Sequence, residues 1–409
     1  MTVLARPSNH QPPKIRFHTV LPSSTHTAQP RPYRAGLHPR ASPFRPHCLA
    51  RDRLKLWRPF YSRVSKPIDS GFSLTSEDDL ERILVVMAAS WAPGTRDTYG
   101  AGILVYHVFC DTRNISEIQR CPASTSLLLM FISACAGSYS GASVANYIYA
   151  VRAWHTLHGA TWPISKVEIT AALDGAAVLA PPSSKRPRRA PFTVELLVQL
   201  RSGLDLNSPL DAAIFACLTT SFWSMARLGE FTVPSLKSFD IAKHITRGRI
   251  REDFDRRGRR VRVFALPWTK VAPTGEDVYW SKQDGMTDPS DALDNHFRVN
   301  NPPMNIHLFS WRHPSGWRPL TRSAFTKRLD TIAISLHLPK MHYHGLRIGS
   351  VLEYLLREVP FDAVKSMGRW SSNSFALYLR EHAVVLAPYI QASSAMEEFT
   401  RLTIIPPVR

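Results

Sequence analysis

The chain has 409 residues, 44% hydrophobic and 20% charged, the balance of a globular protein long enough for two or three domains. Its 51 Lys and Arg outnumber 32 Asp and Glu, giving a formal net charge of +19 and a pI near 10.1. That surplus favours a polyanionic partner, nucleic acid ahead of an anionic membrane surface, and no apolar run reaches the roughly 18 residues of a membrane span.

Five scattered cysteines, Cys48, Cys110, Cys121, Cys135 and Cys217, include no CxxC pair, so neither a disulfide framework nor a Cys-type zinc site is supported. A reducing compartment fits them best, and the nucleus is the expected location. The acid-free residues 1–51 share one property with organellar import peptides.

Residues 1–70 hold 13 Lys and Arg against Asp52 and Asp69, which concentrates +11 of the net charge there. The segment is rich in Pro, Arg, His and Ser and has no apolar period, so it is expected to be a disordered basic arm.

Residues 74–178 read as a helical bundle. "SLTSEDDLERILVVMAASW" offers capping residues, first-turn acids and an apolar stripe. "GTRDTYGAGILVYHVFCDTRN" puts Tyr99, Ile103, Tyr106 and Cys110 on one face. "STSLLLMFISACAG" and "SVANYIYAVRAWHTLHG" add two helices. Residues 179–192 carry four prolines with Lys185, Arg186, Arg188 and Arg189, a linker whose basic residues suit a DNA backbone or a nuclear localisation patch.

A second domain is expected over 193–395, with 396–409 as a tail. Ser208, Pro209 and Asp211 open a helix in N-cap order. "RRVRVFALPWTKVAPTGEDVYW" reads as a two-stranded hairpin around "PTG". "RGRIREDFDRRGRRVRV" is either a strand edge touching a nucleic-acid backbone or a solvated face. Helices follow at "TRSAFTKRLDTIAISLHL", "LRIGSVLEYLLREV" and around "SNSFALYLREHAVVL".

Four stretches here are chemically loaded. "ARLGE" carries Arg227 and Glu230, "LPWTKV" carries Lys270, "HGLR" carries His344 and Arg347, and "GRWSSNSFALY" ends in Tyr378. Singly, each is better explained as packing or a solvated charge. Together they suit phosphoryl transfer through a phosphotyrosine. Two guanidinium forks can bind the non-bridging oxygens of a phosphodiester transition state. The tyrosine hydroxyl, with a reference pKa of about 10, needs a positive field and a base, and His344 suits the base. Lys270 suits protonation of the leaving 5′-oxygen. The "HYH" of His342 to His344 lacks a third ligand at metal spacing, so no metal is expected.

This ordered set resembles the tyrosine recombinase (phage-integrase-like) family, which combines an "ARxGE" box, a hairpin lysine, an "HxLR" box and a C-terminal tyrosine. "GRWSS…Y" is similar to the recombinases of eukaryotic Crypton-type and DIRS-type mobile elements. The resemblance covers roughly residues 75–390. It implies a mainly α chain: a SAM-like helical core-binding bundle, then a mixed α+β integrase-like catalytic domain with a small β-hairpin sheet. It implies site-specific recombination of double-stranded DNA by a tetramer on two DNA sites, needing no cofactor. Carried over, Arg227, Lys270, His344, Arg347 and Tyr378 are catalytic, and Glu230 steadies the first arginine. One position departs. The family places His or Trp after a glycine; here Gly368 is followed by Arg369 and Trp370. Spacing favours Arg369 and residue type favours Trp370; Trp370 is preferred, with Arg369 left to touch DNA or solvent. The same residues also serve type IB topoisomerases, and a non-catalytic DNA-binding descendant would share the fold.

Overall fold

A computed structural model describes residues 29–62, 76–185, 187–371, 375 and 378–390. The chain divides into two compact units at Arg186/Pro187, inside the Pro-rich stretch. Fourteen helices against two small antiparallel sheets, among the described residues, make it mainly α.

The first unit is a helical bundle. It contains α1 (Arg53–Leu56), α2 (Glu77–Ala89), α3 (Pro93–Thr112), α4 (Glu117–Arg120), α5 (Thr125–Cys135), α6 (Gly141–His158) and α7 (Lys166–Val178). Ser76 caps α2: its hydroxyl accepts from the Asp79 N–H at 3.1 Å, and the Asp79 carboxylate accepts from the Ser76 N–H at 3.0 Å. The expected stripe of α3 is buried at Ile103, Tyr106 and Cys110, and α3 packs chiefly against α6.

Residues 29–62 belong to this bundle, which corrects the expectation of a free basic arm over that part. Leu54 and Trp57 are core residues. The Trp154 indole donates to the Trp57 carbonyl at 2.5 Å. Arg45 is buried against Asp111, and Arg53 donates to the Gly100 carbonyl at 3.0 Å. Isolated apolar residues between prolines produce no sequence period, yet they supply enough surface to dock a short segment on a ready-made core. The rest of the expected arm, 1–28 and 63–70, lies outside the described residues.

The second unit opens with α8 (Val194–Ser202) and α9 (Pro209–Trp223). Every described side chain from Asp211 to Trp223 is buried, so α9 is the central helix. Ser208 makes no side-chain cap. Asp211 is instead held by Arg328, at 2.8 and 2.6 Å, and by the Asp205 N–H.

The sheet has three strands, β1 (Ile250–Phe254), β2 (Arg260–Leu266) and β3 (Glu276–Trp280), antiparallel in that order. The expected hairpin is β2–β3, with Leu266 opposite Glu276, and "RIREDF" supplies the added edge strand. Then come α10 (Pro289–Val299), a short hairpin of β4 (Trp311–His313) and β5 (Gly316–Arg318), α11 (Arg322–Ser335), α12 (Gly345–Leu356), α13 (Phe361–Met367) and α14 (His382–Ile390). The helix expected around residues 372–386 is described only as α14, and Tyr378 lies ahead of it. Residues 372–374, 376–377 and 391–409 lie outside the described residues. No helix among the described residues is long and apolar enough to cross a membrane.

Candidate active site

The site is assembled where α12 meets the end of α9. Carbonyls at a helix C-terminus lack intrahelical partners, and α12 supplies them here. The Ser350 hydroxyl donates to the Phe222 carbonyl, the Tyr354 hydroxyl to the Trp223 carbonyl at 2.8 Å, and Arg347 Nη1 to the Met225 carbonyl at 3.0 Å. Close approach on the other side of α12 requires glycine at 349, where a Cβ would sit 1.8 Å from the Phe192 carbonyl oxygen.

A spacing of three residues would place Arg227 and Glu230 on one face of a helical turn. In the structure α9 stops at Trp223, the chain reverses at Met225 with φ +49°, and residues 228–230 form a separate 3-10 turn. Arg227 caps that turn. Its N–H and its guanidinium both donate to the Glu230 carboxylate at 2.9 Å. The Arg227 side chain remains one-third exposed, while that of Glu230 is 8% exposed.

His344 is the residue ahead of α12, and Arg347 lies in the helix's first turn. Arg347 is 1% exposed. Its second amino group donates to the Gly368 carbonyl, and its Nε has no hydrogen-bond partner among the described residues. The Trp370 ring lies over the guanidinium at 4.1 Å and the Tyr378 ring at 5.6 Å. Trp370 and Tyr378 meet at 4.8 Å between ring centres, and His344 and Tyr378 at 5.4 Å. Gly368 is required beneath the indole, since a Cβ there would lie 1.5 Å from Trp370.

Positive charge sets the electrostatics. Burial, with Arg189, Arg347, Arg227 and Arg322 around it, holds the His344 imidazole below its ordinary value, so it is neutral at neutral pH. Burial, with Arg227 and Arg369 nearby, lowers the Arg347 guanidinium, while the Tyr378 hydroxyl opposes that shift. Burial pushes the Glu230 carboxyl up, but Arg369 and Arg227 outweigh it and hold the group ionised.

Arg369 does not face solvent, which corrects the expectation for this residue. Its backbone is left-handed, with φ +60°, and its side chain turns inward. One amino group pairs with Glu230 at 2.7 Å and the other with Glu276 at 2.6 Å. Lys270 is exposed in the loop between β2 and β3, beside the exposed Trp268. Arg188 and Arg189 are exposed, as is Lys185, which belongs to the first unit; Arg186 lies outside the described residues. Glu276, Thr269, Arg322 and the Met225 carbonyl were not singled out by sequence. Only Glu276 left a trace there, as the residue reopening the strand after the turn. Among the described residues, no group of three or more His, Cys, Asp or Glu is placed to hold a metal ion.

Solved structures similar to the chain include the following three. XerH site-specific recombinase, bound to palindromic difH substrate in a post-cleavage complex, is 14% identical, with 84% of this chain and 93% of that chain covered and a TM-score of 0.49. A lambda integrase (75–356) dimer bound to a COC′ core site is 12% identical, covering 73% and 93%, with a TM-score of 0.40. XerA recombinase is 14% identical, covering 80% and 98%, with a TM-score of 0.32. No protein-family model and no curated protein matches the chain.

Proposed function

We propose that this protein breaks and rejoins DNA through a 3′-phosphotyrosyl link on Tyr378, as a site-specific recombinase. The observation that carries this reading is the meeting of Tyr378, His344, Arg347 and Trp370 in one ring-lined cluster, within the electrostatic reach of Arg227.

In the forward step the Tyr378 hydroxyl oxygen attacks the scissile phosphorus, and its proton passes to neutral His344. The bond from phosphorus to the 5′-oxygen breaks, and Lys270 delivers the proton that makes the 5′-hydroxyl. Arg227 and Arg347 bind the non-bridging oxygens; each such donor is worth about 3–4 kcal/mol in comparable sites. For Arg347 this means exchanging its two carbonyl acceptors for phosphate. Trp370 covers Arg347 and packs the tyrosine, and its indole N–H is the donor we assign to the phosphate. A 5′-hydroxyl from another strand reverses the step. The phosphotyrosine conserves the bond energy, so the scheme consumes no nucleotide. Exchange between two duplexes takes four such sites, hence a tetramer on two DNA sites. The "GRWSS" wording supports an origin in a mobile element of the Crypton or DIRS type, acting in the nucleus.

The test uses a pool of nicked duplexes of randomised sequence, in which the fragment bearing the freed 5′-hydroxyl diffuses away. Wild type should accumulate a covalent protein–DNA adduct stable to detergent, and Tyr378→Phe should not. An absence of adduct across the pool overturns the reading. Strand exchange between two labelled duplexes, rather than relaxation of a supercoiled plasmid, marks a recombinase. Binding to the same duplexes should weaken steeply with salt, because phosphate contacts displace counterions.

A further inference from the structure

Arg369 stands nine residues before Tyr378, beside the glycine, yet its guanidinium is turned away from the ring cluster and spans two carboxylates. Glu230 is the partner of Arg227. Glu276 is the first residue of β3, and it closes the loop that carries Lys270.

The loop's own anchoring leads to the same carboxylate. Thr269 is buried, and its hydroxyl donates to Glu276 at 2.6 Å. That hydroxyl also accepts from the Ala272 N–H at 3.0 Å, and the Thr269 N–H donates to the Ala272 carbonyl at 3.0 Å. The residues around Lys270 are thereby bracketed. Trp268, Lys270 and Val271 themselves are exposed, so packing does little to fix the loop. A continuous series of polar contacts therefore runs from Arg227 through Glu230, Arg369 and Glu276 to Thr269, the residue before Lys270. Arg369 is its centre.

The residue type fits this task. A guanidinium offers separate amino groups in a fixed fork, so it can hold two carboxylates at once; an ammonium is a single point. The left-handed backbone is a conformation non-glycine residues rarely adopt, and it persists where the surroundings hold it. Here it aims the fork inward.

We propose that Arg369 is a positioning residue for the Lys270 loop. It locks that loop to the Arg227–Glu230 turn, so that proton delivery to the leaving 5′-oxygen is aligned with phosphate binding. The proposal rests on the breaking-and-rejoining reading. It assigns Arg369 to the leaving-group step and not to contact with the phosphate.

A change of leaving atom tests it. A duplex recovered as adduct from the randomised pool is made in two forms, with oxygen or sulfur at the scissile 5′ position. In the sulfur form the phosphorus–sulfur bond breaks and the sulfur leaves as a thiolate with its electron pair, so no proton need be delivered. A substitution that harms only proton delivery is rescued by sulfur. Lys270→Ala and Arg369→Ala should each slow adduct formation about 100-fold on the oxygen substrate and by no more than about threefold on the sulfur substrate. Arg227→Ala, which removes a phosphate ligand, should slow both. Glu276→Gln weakens the same link from the strand side and should copy Arg369→Ala, which keeps the test open if the arginine variant does not fold. Equal slowing of both substrates by Arg369→Ala and by Glu276→Gln would overturn the assignment and leave the recombinase reading standing. A wild type that forms no adduct on either substrate overturns both.

Discussion

The Arg347 guanidinium carbon lies 4.1 Å from the centre of the Trp370 ring, and the same ring touches Tyr378 and Phe375. One indole thus covers a buried cation and supports the segment bearing the tyrosine. Cation–π contacts in desolvated sites are worth about 2 kcal/mol. Trp370→Ala should destabilise the protein by about 3–5 kcal/mol, whereas Trp370→Phe, which keeps a ring over the guanidinium, should cost about 1–2 kcal/mol. Urea unfolding of the full chain measures both. Equal losses would mean that the ring face is not what matters at this position.

Arg227 and Arg347 should part company in stability. Arg347 is buried and donates to the carbonyls of Met225 and Gly368. Arg347→Ala strands those acceptors and opens a cavity, a loss of about 3–5 kcal/mol. Arg227 is one-third exposed, and its partner Glu230 keeps Arg369, so Arg227→Ala should cost no more than about 1 kcal/mol. Both substitutions should slow adduct formation about 100- to 1,000-fold. Denaturation midpoints alongside adduct assays separate the two effects.

Acid should weaken the fold through histidines that stay neutral when buried. Burial lowers His155 to about 4 and His296 to about 4, against backbone hydrogen bonds that oppose the shift. Burial, with His244 and His296 close by, lowers His307 to about 3. An unfolded histidine takes up its proton near 6.5, so below that pH the unfolded chain binds more protons than the folded one. The contribution is complete above about 6.5 and is lost as pH falls toward about 4, at roughly 2 kcal/mol per histidine by pH 5. Urea midpoints at pH 7.5 and pH 5 should differ accordingly, and His296→Asn should flatten part of the slope. Adduct formation should show its own acid limb, falling as His344 becomes protonated below the ordinary histidine range.

The N-terminal part of the bundle offers a fourth test. Trp57 is fully buried, with its indole on the Pro46 carbonyl at 2.9 Å. Trp57→Ala should destabilise the protein by about 3–5 kcal/mol. A variant with unchanged unfolding would return this stretch to the role of a loose arm.

Four residues that meet in the candidate site, His344, Arg347, Trp370 and Tyr378, could be picked out in sequence because they are chemically distinctive and ordered along the chain. The bundle was legible at α2 and α3, where caps and apolar stripes act locally. What escaped shares one cause: it depends on contacts between residues far apart in the chain. Arg369 reads as a surface arginine until its backbone angle and the distant Glu276 are known. Leu54 and Trp57 have no period to betray them, because they dock on a core built by other helices. The edge strand β1 stayed open in sequence between a strand edge and a solvated face, because its side chains are mostly exposed and leave no alternation to read.

The tie between α12 and the end of α9 has a practical consequence. Arg347 is both a phosphate ligand in the proposed scheme and a fastener of the central helix, so a variant silenced there would be expected to vanish from cells through quality control as much as through lost chemistry. Phenotypes at Arg347 would then report protein abundance. Under the same scheme, a silenced version that keeps the DNA-binding surface is better made at Tyr378, where removal of one hydroxyl leaves the ring stack and the helix junction in place.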